Sequence, residues 1–160
     1  MNKFIKLFWF FSLLGFLATL LFVYAALRPE VDVSLGSGVI PAMLISKNAF
    51  FYTMIIIIVL TNAVLLALSK FIGMLKTDNK SNRFIFGDEP FKKNLINWLG
   101  SFSVVLNLFY AMGTLFIGLY NNIEYVPTAG YSFLVYASII LIVGWLFWLV
   151  YIVLKKVKTA

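Results

Sequence analysis

The chain has 160 residues, of which 62% are hydrophobic and only 12% are charged, a balance far from that of soluble domains. It contains no cysteine and no histidine, which excludes disulfides, thiolate nucleophiles, Cys/His zinc sites and histidine-ligated haem. The net charge of +7 comes from basic residues near the edges of apolar segments, a placement typical of membrane orientation and not of nucleic-acid binding.

Four long apolar runs organise the chain, and none carries an ionisable residue away from its ends. They cover residues 4–26, 50–75, 95–120 and 131–154, and each is long enough to cross a bilayer core of about 30 Å as a helix. The first run resembles a signal peptide, but its apolar stretch is too long for one, so we expect a retained helix. The sequence thus predicts an all-α integral membrane protein, a single four-helix transmembrane domain over residues 1–160.

The loop between the first two runs, residues 27–49, contains a strand-like pattern. Polar and apolar residues alternate from Glu30 to Leu35, as in a half-buried strand. The loop at 121–130 has a similar segment at 122–126, so we expect the two segments to pair into a small extracytoplasmic β element. Ser46 is placed to cap the second helix.

The loop at 76–94 is polar and ends in a helix start. Asp88, Glu89 and Pro90 suit the first turn of a helix, where acids complement the helix dipole and proline loses no hydrogen bond. The third helix should therefore begin near Pro90, with Lys92, Lys93 and Trp98 at the level of the lipid headgroups.

The basic residues predict the orientation of the bundle. Eleven of the 13 lysines and arginines lie in or beside the two termini and the loop at 76–94, whereas only Arg28 and Lys47 lie in the other loops. The positive-inside rule then places both termini and the loop at 76–94 in the cytoplasm. Abundant lysine and asparagine with little arginine suggest an AT-rich bacterial genome, and hence the bacterial cytoplasmic (inner) membrane.

The third helix carries a stripe of small and polar residues along one face. With spacings of three and four, the stripe consists of Gly100, Ser103, Asn107, Ala111, Thr114 and Gly118. Helices in lipid associate through such residues, so the stripe is expected to be a packing face. The alternative is a water-filled substrate groove.

Two asparagines lie near the middle of their helices, Asn62 in the second and Asn107 in the third. An amide left unsatisfied in hydrocarbon costs several kcal/mol. Since the two amides lie at the same depth on consecutive helices, we predict a hydrogen bond between them. A polar binding site between these helices is the rival interpretation.

The sequence offers no nucleophile–base pair, phosphate-binding loop or carboxylate dyad, and we assign no catalytic, cofactor-binding or metal-binding residue. Glu30, Asp32 and Glu124 lie in the outer loops and would converge if these loops paired. An exposed acidic surface is the simpler interpretation, and a divalent-cation site or a lipid-directed enzyme is the alternative.

Aromatic residues are more numerous than membrane anchoring requires, at 18% of the chain. Two groups stand out as a candidate partner surface: Phe8, Trp9, Phe10 and Phe11 on the first helix, and Trp145 and Trp148 on the fourth. We therefore expect a non-catalytic accessory or scaffold subunit of a larger inner-membrane complex for secretion, motility, transport or respiration. Its partners would be lipid and other integral membrane subunits, not nucleic acid. The alternative is a small oligomeric channel or carrier that uses the stripe on the third helix.

Overall fold

Four long helices dominate the computed structural model, which describes residues 2–33, 43–75, 89–122 and 131–159. They are α1 (Lys3–Ala26), α2 (Lys47–Met74), α3 (Glu89–Tyr120) and α4 (Ser132–Thr159). All four are long and apolar enough to cross a membrane. The prediction of four such helices is confirmed.

The helices α2 and α3 begin before their apolar runs, because polar residues form their first turns. The Ser46 hydroxyl accepts a hydrogen bond from the Ala49 amide at 3.1 Å, so the predicted cap of α2 is confirmed. Glu89 and Pro90 form the start of α3, as predicted. The apolar runs alone would start these two helices several residues too late in the sequence.

Two short strands, β1 (Glu30–Asp32) and β2 (Leu44–Ser46), form an antiparallel pair between α1 and α2. Val31 lies opposite Ile45 and is fully buried, whereas Glu30 is exposed, so the alternation predicted for β1 is confirmed over these residues. The predicted partner was residues 122–126, but the strand that pairs with β1 is β2. Residues 34–35 and 123–126 lie outside the described ranges.

A side chain from the end of α3 occupies the other edge of β1. Asn121 Oδ1 accepts a hydrogen bond from the Asp32 amide at 2.7 Å, and Asn121 Nδ2 donates to the Asp32 carbonyl at 3.0 Å. One side-chain amide thus satisfies the two backbone groups of Asp32 that a third strand would otherwise pair.

The helix α3 lies at the centre of the bundle and packs against α1, α2 and α4. α1 and α2 touch little, and α4 makes no contact with α1 or α2 comparable to its contact with α3. The bundle has a hairpin end, which carries β1 and β2, and a termini end, where the Asn2 amide donates to Asn97 Oδ1.

Two apolar clusters fill the core, one toward each end. The hairpin-end cluster includes Phe16, Leu20, Val31 and Ile58, and the termini-end cluster contains Ile72, Trp98, Leu99 and Ile152. Polar side chains from three helices lie between these clusters.

Candidate functional site

The polar layer in the middle of the bundle is built around Asn62 and Asn107. Asn62 Nδ2 donates to Asn107 Oδ1 at 2.8 Å, and both side chains are buried. The predicted hydrogen bond between the two amides is therefore present, and it joins α2 to α3.

Side chains from α1 and α3 complete this layer. Asn62 Oδ1 accepts from the Trp9 indole at 2.6 Å and from the Ser103 hydroxyl at 2.7 Å. Asn107 Nδ2 donates to the Ser12 hydroxyl at 3.0 Å. We call Trp9, Ser12, Asn62, Ser103 and Asn107 the amide network. None of its members titrates near neutral pH, so the network suits the fixing of helix positions and not proton transfer.

Sequence reasoning missed the contribution of α1 to this network. Trp9 was assigned to an exposed aromatic surface, but it is only partly exposed and its N–H points to Asn62. The spacing of Trp9 and Ser12, three residues on one helix face, is the signal that marks them as a pair.

The stripe on α3 faces the interior of the bundle. Gly100, Ser103, Asn107, Thr114 and Gly118 are buried, and Ala111 is partly buried. These side chains lie under protein, as a packing face requires. Among the described residues, the Thr114 hydroxyl is the buried side-chain polar atom that has no hydrogen-bond partner.

The backbones of α1 and α3 approach closely at Gly118. A Cβ atom added there would lie 2.7 Å from Cγ1 and 2.9 Å from Cγ2 of Val23, a residue that is itself buried. The absence of a side chain at Gly118 therefore sets the distance between the two helices near the hairpin end.

The aromatic groups divide between inward and outward positions. Phe8, Phe10, Phe11 and Trp148 have at least half of their surface exposed. Trp145 is only partly exposed, since its indole N–H donates to the Ser101 hydroxyl at 3.1 Å. The candidate partner surface is thus reduced to the three phenylalanines on α1 and Trp148 on α4.

A closed set of hydrogen bonds joins α3 to α4. The Trp98 indole donates to the Trp145 carbonyl at 2.9 Å, and the Trp145 indole donates to Ser101. The Ser101 hydroxyl in turn donates to the Trp98 carbonyl at 2.9 Å. We call Trp98, Ser101 and Trp145 the indole clasp.

A groove of about 380 Å³ opens beside the indole clasp at the termini end, between α1 and α4 and over α3. We call it the termini-end groove. It is lined by Ile5 from α1, by Asn94, Asn97, Trp98 and Ser101 from α3, and by Trp145, Trp148, Tyr151, Ile152 and Lys155 from α4.

Two lysines bind the ends of preceding helices. Lys92 was expected at headgroup level, but it is buried, and its Nζ donates to the carbonyl of Leu75, the C-cap residue of α2, at 2.7 Å. Lys47 Nζ similarly donates to the carbonyl of Leu27, the C-cap residue of α1, at 3.3 Å. A cation at a helix C-terminus is stabilised by the helix dipole, so each of these lysines joins consecutive helices.

The acidic residues of the outer loops lie only partly within the described ranges. Asp32 and Glu30 lie in β1, and Glu124 lies outside the described ranges. Within the described ranges there is no group of three acidic side chains that could hold a metal ion. Comparison with protein-family models, curated proteins and solved structures returned no match.

Proposed function

We propose that the chain is a four-span membrane protein that serves as a non-catalytic accessory subunit of a larger complex in a bacterial inner membrane. The observation that carries this proposal is the contrast between a polar interior bonded to itself and an apolar exterior. The amide network directs its hydrogen bonds within the bundle, so the interior presents little for a substrate to bind.

The exterior supports both parts of the proposal. Only 11% of the apolar stretch of α2 and 6% of that of α4 is buried within the chain. Such surfaces need to be covered by lipid or by the apolar surface of another protein. In addition, a Cβ added to Gly144 on α4 would have no neighbouring atom within 4 Å, so a partner helix could approach α4 closely there.

The test is the release of partners by substitutions on the exposed aromatic residues. Native extraction of the tagged chain in mild detergent should recover other membrane proteins. The double substitution Phe10→Ala with Trp148→Ala should release them without unfolding the chain, because both side chains are at least half exposed. Helical content and the elution volume on gel filtration provide the check on folding.

Ser103→Ala is the matched control on the polar stripe. It removes one of the two hydrogen bonds that Asn62 Oδ1 accepts, so an accessory subunit should keep its partners. A carrier would show the reverse pattern, with activity lost in Ser103→Ala and retained in the aromatic double variant. Recovery of the chain as a monomer with no associated protein would contradict the subunit proposal.

A further inference from the structure

The termini-end groove changes in polarity along its length. Trp145 and Lys155 line it on the same helix, ten residues or about 15 Å apart. Toward the middle of the bundle, the polar atoms of the indole clasp bond to one another, and the rings of Trp98, Trp145 and Trp148 line the groove. Toward the termini, the exposed Asn94 amide and Lys155 ammonium line the groove.

The surroundings of the groove are strongly basic. The exposed Lys3 and Lys6 lie on α1 at the same end, on either side of Ile5 in the sequence. Among the described residues at this end the one acid is Glu89, which lies 3.6 Å from Lys92. Basic side chains thus outnumber acidic ones among the described residues at this end, which favours an anion.

We infer that the termini-end groove is a binding site for an anionic phospholipid. The headgroup phosphate lies at Lys155 and Asn94, and an acyl chain follows Tyr151 and Trp148 toward the indole clasp. Basic pockets and tryptophan-rich rims at one membrane face are suited to such lipids. This inference rests on the proposed membrane insertion, and because Trp148 belongs to both the groove and the candidate partner surface, its test uses Lys155, which is not in that surface.

The mixed lining of the groove favours an amphiphile over a small anion. A small polar anion fits by volume, but it would leave the indole-lined half of the groove without a matching ligand. An amphiphile matches both halves.

Native mass spectrometry of the full chain in mild detergent tests the inference. With phosphatidylglycerol or phosphatidylcholine added at equal concentration, the wild type should retain at least fivefold more phosphatidylglycerol. Lys155→Gln should reduce this preference about fivefold, the effect expected of one lysine near a charged headgroup. Lys155→Arg should preserve it and thereby show that the loss in Lys155→Gln is not a folding defect.

Lys70→Gln is the matched control, since Lys70 is an exposed lysine on α2 and does not line the groove. It should retain the lipid at the wild-type level. An equal loss in Lys70→Gln would overturn the inference and indicate attraction by overall charge. Equal retention of both lipids would also overturn it. So would displacement of the bound phosphatidylglycerol by glycerol phosphate as readily as by added phosphatidylglycerol.

A second measurement asks whether protein covers the groove instead. Because the chain has no cysteine, Tyr151→Cys provides a single thiol at the groove, and we expect no disulfide-linked dimer in native membranes. Efficient dimer formation would assign the groove to a second copy and overturn the inference. If the chain leaves membranes without detergent, the membrane proposal is overturned as well. If extraction requires detergent and the chain retains no phosphatidylglycerol, the lipid inference alone is overturned.

Discussion

Asn62 uses its full hydrogen-bonding capacity within the bundle. Its Oδ1 accepts from Trp9 and Ser103, and its Nδ2 donates to Asn107 and to the Ile58 carbonyl at 2.8 Å. An asparagine side chain offers two donors and two acceptor positions. Asn62 therefore leaves no group for a ligand, and its replacement would leave polar groups on both α1 and α3 without a partner.

We expect Asn62→Leu to be more destabilising than Asn107→Leu. The first change leaves the Trp9 indole, the Ser103 hydroxyl and the side-chain oxygen of Asn107 (Oδ1) without their partner. It should cost about 2 kcal/mol. Asn107→Leu removes two hydrogen bonds, but Ser12 keeps its bond to the Trp9 carbonyl, so about 1 kcal/mol is expected. Thermal unfolding in detergent measures both, and the double variant should lose less than the sum. Strict additivity would contradict a shared network.

Thr114→Val should have the opposite effect. The Thr114 hydroxyl is buried without a partner, and such a group costs about 1–3 kcal/mol. Valine keeps the shape and removes the hydroxyl, so the midpoint of thermal unfolding should rise. A decrease like that of Asn107→Leu would show that the hydroxyl has a partner.

The helices α1 and α3 pack together more extensively than any other pair of elements, and Gly118 sets their separation near the hairpin end. Val23 is branched at Cβ and buried, so it cannot rotate away from an added methyl group. The contact between these helices is therefore sensitive to one carbon atom.

Gly118→Ala should destabilise the chain by about 1–3 kcal/mol, because its Cβ would lie 2.7 Å from Val23 Cγ1. Gly144→Ala is the matched control. Nothing lies within 4 Å of its Cβ position, so it should be neutral or slightly stabilising through helix propensity. Thermal unfolding compares the two, and Val23→Ala should partly rescue Gly118→Ala. Equal effects at both glycines would contradict the close approach.

The helices and β1 could be predicted from sequence because each depends on a local pattern. Apolar runs of sufficient length gave the four helices, and alternation around Val31 gave the strand. The partner of β1 could not be predicted, because Leu44 and Ile45 are both apolar and show no alternation, and the strand runs directly into the start of α2.

At the polar layer, the sequence predicted the contact that depends on the depth of two residues in the membrane. It did not predict the contacts, there and at the helix ends, that depend on the direction of a side chain. Asn62 and Asn107 were paired by depth alone. The inward N–H of Trp9 and the helix-capping role of Lys92 depend on which way a long side chain turns. A count of aromatic or basic residues treats all such side chains alike.

At the scale of the whole molecule, the even number of long helices brings both chain ends to one face. Asn2 contacts Asn97 there, and Ile5 and Lys155 line the same groove. Since the basic residues concentrate at this face, the proposed orientation places it in the cytoplasm.

Single cysteines in the cysteine-free chain test this orientation. Asn79→Cys and Thr159→Cys should be protected from an impermeant thiol reagent in intact cells, and Ser37→Cys should react once the outer barrier admits the reagent. All three should react after the cells are lysed. Labelling of Asn79→Cys from outside intact cells would contradict the orientation.

The attachment of α4 mainly through α3 has a consequence for the order of assembly. The amide network and the Gly118 contact involve only α1, α2 and α3, so these three helices can pack together as soon as α3 has left the ribosome. At roughly 5–20 residues per second, α4 follows some seconds later. It then docks onto a surface that is already formed, through the indole clasp. A chain truncated before Tyr131 and released from the ribosome should therefore already resist proteolysis over its first three helices, and α4 should be the first part to separate when the protein unfolds.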